Sequence, residues 1–99
     1  MKDELFFLQD LFNTIQKKAK SKDAKSYTRK LLKSGKNIIA QKVSEESSEL
    51  IIDYLNGSKK RTIEEATDLI YHIFVLLYSK KINLNDIKKE LKNRQNVRQ

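Results

Sequence analysis

Ninety-nine residues, 38% of them apolar, bound a single domain whose helices each have about one stripe to bury. The absence of cysteine excludes a disulfide framework and thiolate metal sites, and the absence of proline with only two glycines (Gly35 and Gly57) leaves few chain breaks, so the composition reads as all-α. The formal charge of +8 is uneven: residues 17–36 hold nine Lys or Arg against Asp23 alone, and residues 44–71 hold seven acids against Lys59, Lys60 and Arg61.

Residues 3–20 carry Leu5, Leu8, Leu11, Phe12, Ile15 and Ala19 at helical spacing. A polar connection, Lys20 to Lys25, follows. Ser26-Tyr27-Thr28 reads as a helix start, with Leu31 and Leu32 behind it and Gly35 as the stop. Asn37 is the expected cap of the next helix, whose apolar positions are Ile38, Ile39, Val43, Leu50, Ile51 and Leu55. Asn56-Gly57-Ser58 ends that helix. Thr62 reads as the next start, with Glu65 three residues on at capping-box spacing. A start nearer Lys59 would free Glu65 for other work. Asn83 or Asn85 opens a last helix with Ile87 and Leu91, followed by a short frayed tail after Arg94.

Two carboxylate clusters stand out. Glu45, Glu46 and Glu49 lie before the Gly57 break, and Glu65 and Asp68 after it. Residues three or four apart share a helix face, and like charges there cost stability. If the chain folds back near residue 58, residues whose numbers sum to about 116 lie at one height, at about 1.5 Å rise per residue. Glu46, Glu49, Glu65 and Asp68 then fall within about two turns. Four carboxylates from two antiparallel helices make an all-oxygen site, suited to Mg²⁺ or Mn²⁺ rather than zinc. The plain alternative is two solvated acidic faces.

The basic lobe fits an anionic ligand, a nucleic acid, or a lysine bias without function. The opening MKDELFF lacks signal-peptide features, and Leu69 to Tyr78 is too short to span a bilayer, so a soluble cytoplasmic protein is expected. That stretch is apolar nearly all round except at His72. A helix with no polar face needs cover on every side, so a homodimer burying residues 69–78 is expected, with active sites that draw on both subunits. His72, the sole histidine, is either a packed residue or, being level with Glu45, a supporting residue of the site. Glycine-rich phosphate loops and a Ser-His-Asp arrangement are absent.

The pattern EExxE followed by ExxD, here Glu45-Glu46-Ser47-Ser48-Glu49 and Glu65-Ala66-Thr67-Asp68, resembles the MazG-like all-α NTP pyrophosphatases. Ser26-Tyr27-Thr28, Leu32, Gly35, Ile39-Ala40-Gln41-Lys42-Val43, Asp68-Leu69-Ile70-Tyr71-His72 and Leu91-Lys92-Asn93-Arg94 resemble the phosphoribosyl-ATP pyrophosphohydrolase family within that superfamily. The likeness runs over residues 5–94 and does not include the cyclohydrolase domain fused to some relatives. Ser44, Ser47 and Thr67 stand where the family commonly has glycine, alanine and alanine; no carboxylate is lost.

The resemblance implies a four- to five-helix MazG-like bundle completed by dimerisation. It implies Mg²⁺-dependent hydrolysis of phosphoribosyl-ATP to phosphoribosyl-AMP and pyrophosphate, the second step of histidine biosynthesis. By match to the motif, Glu46, Glu49, Glu65 and Asp68 are the metal ligands, and Glu45 and Glu46 the catalytic candidates. Glu45 would position or deprotonate water. Ser26, Tyr27, Thr28, Arg29, Lys33 and Lys42 are the candidate substrate contacts. Tyr27 has packing as its alternative role, and Lys42 an intrahelical ion pair. Three other functions remain open: a generic nucleoside triphosphate pyrophosphatase, a basic nucleic-acid-associated protein, and a helical dimer with no metal dependence. Nucleic acid and membrane are not the expected partners.

Overall fold

The computed structural model describes residues 6–23 and 25–98. Among them are five helices and no strand: α1 (Phe6–Lys20), α2 (Tyr27–Ser34), α3 (Lys36–Asn56), α4 (Lys59–Ser79) and α5 (Leu84–Arg98). None of them is long and apolar enough to cross a membrane. The expected start of the first helix at residues 3–5 lies outside the described residues.

The longest two helices, α3 and α4, form an antiparallel hairpin and share the largest helix–helix contact. Its turn is built from three consecutive residues. Asn56 ends α3, and Gly57 N–H donates to Asp53 O at 2.8 Å. A Cβ on Gly57 would stand 2.6 Å from Asp53 Oδ1 and 2.9 Å from Asp53 Cα, so the close approach demands glycine. Ser58 then caps α4, its Oγ accepting from Arg61 N–H at 3.1 Å. Helix α4 therefore starts at Lys59, not Thr62, and Glu65 is released from capping duty. Thr62 Oγ1 instead lies 3.2 Å from Asp53 O, across the hairpin. That contact is within one residue of the expected register.

The other two caps follow the same physics. Ser26 Oγ accepts from Arg29 N–H at 3.2 Å and opens α2. Asn83 and Asp86 cap α5 reciprocally, Asn83 Oδ1 accepting from Asp86 N–H at 2.9 Å and Asp86 Oδ2 from Asn83 N–H at 3.1 Å. Asn37 makes no cap. Gly35, with φ of 93°, holds that position and lets α3 begin at Lys36, which places Asn37 two residues past the cap, inside the first turn. Nor does α5 fray after Arg94; it runs to Arg98.

The core is a single cluster: Phe12 and Ile15 from α1, Leu31 from α2, Ile39 from α3, Phe74 and Val75 from α4. Phe12 meets Phe74 edge to face, with ring centroids 5.4 Å apart. Ile73, Leu76, Leu77 and Tyr78 pack against this cluster half-buried. One chain thus covers most of the 69–78 stretch, because α1, α2 and α3 all lie against α4. The apolar surface left open is elsewhere. Ile51, Ile52, Tyr54 and Leu55 of α3 and Ile63 of α4 are each more than half exposed, with Ile70 exposed beside them.

Helix α4 ends in a Schellman motif. Ile82 N–H donates to Leu77 O and Lys81 N–H to Tyr78 O, both at 2.9 Å. Lys81 occupies the left-handed position, with φ of 62°, where glycine is the usual residue. A left-handed L-residue costs about 1–2 kcal/mol, and glycine's greater chain entropy costs about 0.5–1 kcal/mol. Strain relief wins narrowly. Lys81→Gly should therefore raise the melting temperature by a few degrees, on the order of 2–8 °C for a net gain of about 0.5–1 kcal/mol. Thermal melts at fixed protein concentration check this, and an unchanged or lower midpoint would contradict it.

Candidate metal and nucleotide site

The hairpin brings together three of the four acids expected from the spacing. Oxygen atoms of Glu46 and Glu49 on α3 and of Glu65 on α4 lie within 4.8 Å of one another. Glu46 and Glu65 are buried, at 8% and 7% exposure, while Glu49 is exposed. Each buried carboxylate has one oxygen on a cation one turn earlier in its own helix. Glu46 Oε1 lies 3.8 Å from Lys42 Nζ, and Glu65 Oε1 lies 3.4 Å from Arg61 Nη2. The second oxygen of each, Glu46 Oε2 and Glu65 Oε2, is buried and accepts no hydrogen bond from any described residue. Buried polar atoms without a partner are costly and uncommon. Two orphaned carboxylate oxygens, one from each helix of the same cluster, fit a hard divalent cation.

Electrostatics agree. Burial pushes the Glu65 carboxyl above its ordinary 4.5; contact with Glu49 and the charges of Glu49 and Glu46 act in the same direction, and Arg61 opposes them. Helix geometry gives the cations little credit for fold stability. In both pairs the base precedes the acid by four residues, the weaker orientation for an intrahelical pair.

Residues 8–95 match the family described as phosphoribosyl-ATP pyrophosphohydrolase. The chain belongs to that family. A Sulfolobus acidocaldarius protein named phosphoribosyl-ATP pyrophosphatase is 42% identical over 87 residues, which is 88% of this chain and 92% of the relative. A Bacteroides thetaiotaomicron protein named histidine biosynthesis bifunctional protein HisIE is 44% identical over 92 residues, 93% of this chain and 45% of the relative. A Staphylococcus aureus protein of the same name is 38% identical over 93 residues, 94% of this chain and 44% of the relative. The chain thus spans just under half the length of the bifunctional relatives and nearly all of the archaeal one.

Of the other family-motif residues, Asp68 is exposed on the next turn of α4 after Glu65 and does not join the converging oxygens. Glu45 stays at the rim, 3.7 Å from Lys42 Nζ and 3.4 Å from Gln41 Nε2. Lys42 is thus both an intrahelical partner and a neighbour of the cluster. The Ser26–Thr28 segment is divided in its roles. Ser26 caps α2. Thr28 is buried and hydrogen-bonded to Tyr71 Oη, whose pKa burial raises above 10.0. Tyr27 alone of the three keeps an open surface. Arg29 is half-buried and Lys33 exposed, one turn apart on α2. Contacts of Tyr27 and Thr28 run to α4 of the same chain, so this segment does not depend on a second subunit to reach the carboxylate helix.

Two residues of the site escaped the sequence reading. Arg61 was legible in principle, since it stands to Glu65 as Lys42 stands to Glu46. Asp53, half-buried and 3.8 Å from Arg61 Nε, becomes relevant only once the hairpin closes.

Stability should carry the signature of this cluster. The folded protein holds the Glu65 proton more tightly than the unfolded chain. Its contribution is therefore present below pH 4.5 and is lost as pH rises through the higher folded value. In EDTA, melts taken from below that pH to neutrality should show such a decline. Glu65→Gln should flatten it and melt higher at neutral pH; an equal decline in the variant would remove Glu65 as its source.

Proposed function

We propose that this chain hydrolyses phosphoribosyl-ATP to phosphoribosyl-AMP and pyrophosphate with Mg²⁺, in histidine biosynthesis, in the cytoplasm. The observation that carries the reading is the pair of orphaned oxygens, Glu46 Oε2 and Glu65 Oε2, inside a carboxylate cluster. Family membership supplies the substrate class. Glu46, Glu49 and Glu65 would hold the metal ion, with Asp68 joining from the adjacent turn. When bound, Mg²⁺ neutralises phosphate charge, polarises the phosphoryl oxygens and acidifies a water ligand; Mn²⁺ is the expected substitute.

The chain's own residues do the rest. Lys42 and Arg61 stand at opposite ends of the cluster, since Arg61 pairs with Asp53, eleven residues along α3 from Lys42. Their charged groups lie 3.8 Å from Glu46 Oε1 and 3.4 Å from Glu65 Oε1, so a polyphosphate entering the cluster would meet one cation from each helix. Each can exchange its glutamate for a phosphate oxygen as the substrate enters. Glu45, at the rim beside Lys42, would orient the attacking water and take its proton. Arg29 and Lys33 on α2 are the candidates for the ribose-borne phosphate, and Tyr27 for the nucleoside. Cleavage between the α and β phosphates leaves the base and both sugars on one product.

A pyrophosphate-release assay tests this. Phosphoribosyl-ATP should be turned over with Mg²⁺ and not with EDTA. Glu49→Gln and Asp68→Asn should each lower the rate by at least about 100-fold while the protein stays folded. Equal turnover of plain ATP would favour the broader triphosphate pyrophosphatase activity instead, and no turnover of any triphosphate would end the enzyme reading.

The homodimer is part of the same proposal, on different grounds from the sequence argument. The radius of gyration is 15.2 Å, against about 13 Å for a compact chain of this length. At 100° per residue, Ile63 and Ile70 lie on the side of α4 opposite Glu65, Asp68 and His72. Likewise Ile51 and Leu55 lie away from Lys42, Glu46 and Glu49 on α3, with Ile52 at the edge between the two faces. Joining two copies through this apolar face would leave the carboxylate side clear. Full burial of such side chains is worth about 1.5–3 kcal/mol each, a large fraction of a typical stability margin of about 5–15 kcal/mol. Leu55→Arg should convert the dimer to monomer by sedimentation equilibrium at micromolar concentration. A wild-type monomer there would dismiss the interface.

A further inference from the structure

Two neighbouring residues at the start of α2 are joined to two neighbouring residues of α4. Tyr27 Oη lies 2.9 Å from His72 Nε2, and Thr28 Oγ1 pairs with Tyr71 Oη. The Tyr27 ring stacks on Tyr71, with centroids 6.1 Å apart and 28° between planes, and meets His72 edge-on. His72 is buried at 7% exposure, whereas Tyr27 keeps 49%.

The direction of the hydrogen bonds is fixed by the far side of the imidazole. His72 Nδ1 lies 2.8 Å from the backbone oxygen of Asp68. A carbonyl can only accept, so Nδ1 carries the proton. In the neutral ring Nε2 is then an acceptor, and the Tyr27 hydroxyl donates to it. The backbone of α4 thereby selects the tautomer that holds Tyr27.

Glu65, Asp68 and His72 succeed one another at spacings of three and four residues, so they share one stripe of α4. His72 lies seven residues from Glu65, about 10 Å along the helix. That is the scale of the separation between a nucleotide's base and its phosphates.

We infer that His72 is a positioning residue that anchors the Tyr27 hydroxyl, so that the open face of that ring stands as a fixed aromatic wall against which the nucleotide base stacks. The inference rests on the nucleotide-hydrolase reading of the carboxylate cluster. Its physical content is preorganisation. Tyr27 is held at the hydroxyl by His72 and on one ring face by Tyr71, so its freedom is lost on folding and not on binding.

The test combines kinetics with a spectroscopic signature. Tyr27→Phe removes only the hydroxyl. His72→Asn keeps a donor near Asp68 O but falls short of Tyr27. His72→Gln reaches the Nε2 position with an amide that can accept. Tyr27→Phe and His72→Asn should each raise KM for phosphoribosyl-ATP about three- to tenfold, the worth of one hydrogen bond, with kcat little changed. The double variant should be no worse than either single one, and His72→Gln should recover most of the loss. In the metal-free protein at a pH where the ring is neutral, imidazole ¹⁵N resonances of the sole histidine should show a protonated Nδ1 and a bare Nε2. Tyr27→Phe should move the Nε2 signal. A wild-type KM in folded Tyr27→Phe, or a protonated Nε2 in the unaltered protein, would overturn the inference alone. Failure of the unaltered protein to hydrolyse phosphoribosyl-ATP would instead remove the reading beneath it, and this inference with it.

Discussion

Packing α3 against α4 forces three glutamates into one small volume, and the rest of the molecule is organised around that imposed repulsion. The acids cannot separate without opening the hairpin that α1 and α2 lock in place through Phe12, Leu31 and Phe74. Lys42 and Arg61 each occupy one oxygen of a buried glutamate and leave the other without a partner. The cations therefore moderate the repulsion without satisfying the site. A chain selected for stability alone would have placed neutral or apolar residues here, since burying charge is costly even when paired.

The two long helices divide their circumference between tasks. One side of each carries the acids and their counter-ions. The opposite side carries exposed Ile51 and Leu55 of α3 and Ile63 and Ile70 of α4. The core sits toward the other end of the hairpin, where α1 and α2 cover Phe74 and Val75. Helix α2 is the link between core and site. Leu31 faces the core while Tyr27 and Thr28, one turn earlier, reach Tyr71 and His72 on the carboxylate-bearing helix.

The sequence made the hairpin legible because its signals are local. The Asn56-Gly57-Ser58 break and the three-residue and four-residue acid spacings need only helical periodicity, and from them follow the pairing register and the approach of Glu46, Glu49 and Glu65. Two local signals were ambiguous. Thr62 and Ser58 both can cap α4, and the nearer serine prevails because it leaves Arg61 N–H satisfied and lengthens the helix by a turn. Asn37 and Gly35 competed likewise, and the left-handed φ at Gly35 decided the matter. What stayed hidden was non-local. Periodicity sees that residues 69–78 are apolar but not that three other helices cover them, and it cannot see that His72 closes on Tyr27, 45 positions away.

Gly57 gives the turn a mechanical meaning. Surface turns ordinarily tolerate inserted residues well. Here each residue added or removed between Asp53 and Arg61 would advance α4 by about 1.5 Å and rotate it by about 100° relative to α3. Glu65 would swing out of reach of Glu46, and its place would fall to Glu64 for an added residue or to Ala66 for a removed one. The tight contact of Gly57 with Asp53 acts as the stop of a calliper, setting the gap between the carboxylates of the two helices. Length at this exposed loop is thus constrained as strictly as a core side chain, though nothing at the loop itself takes part in chemistry.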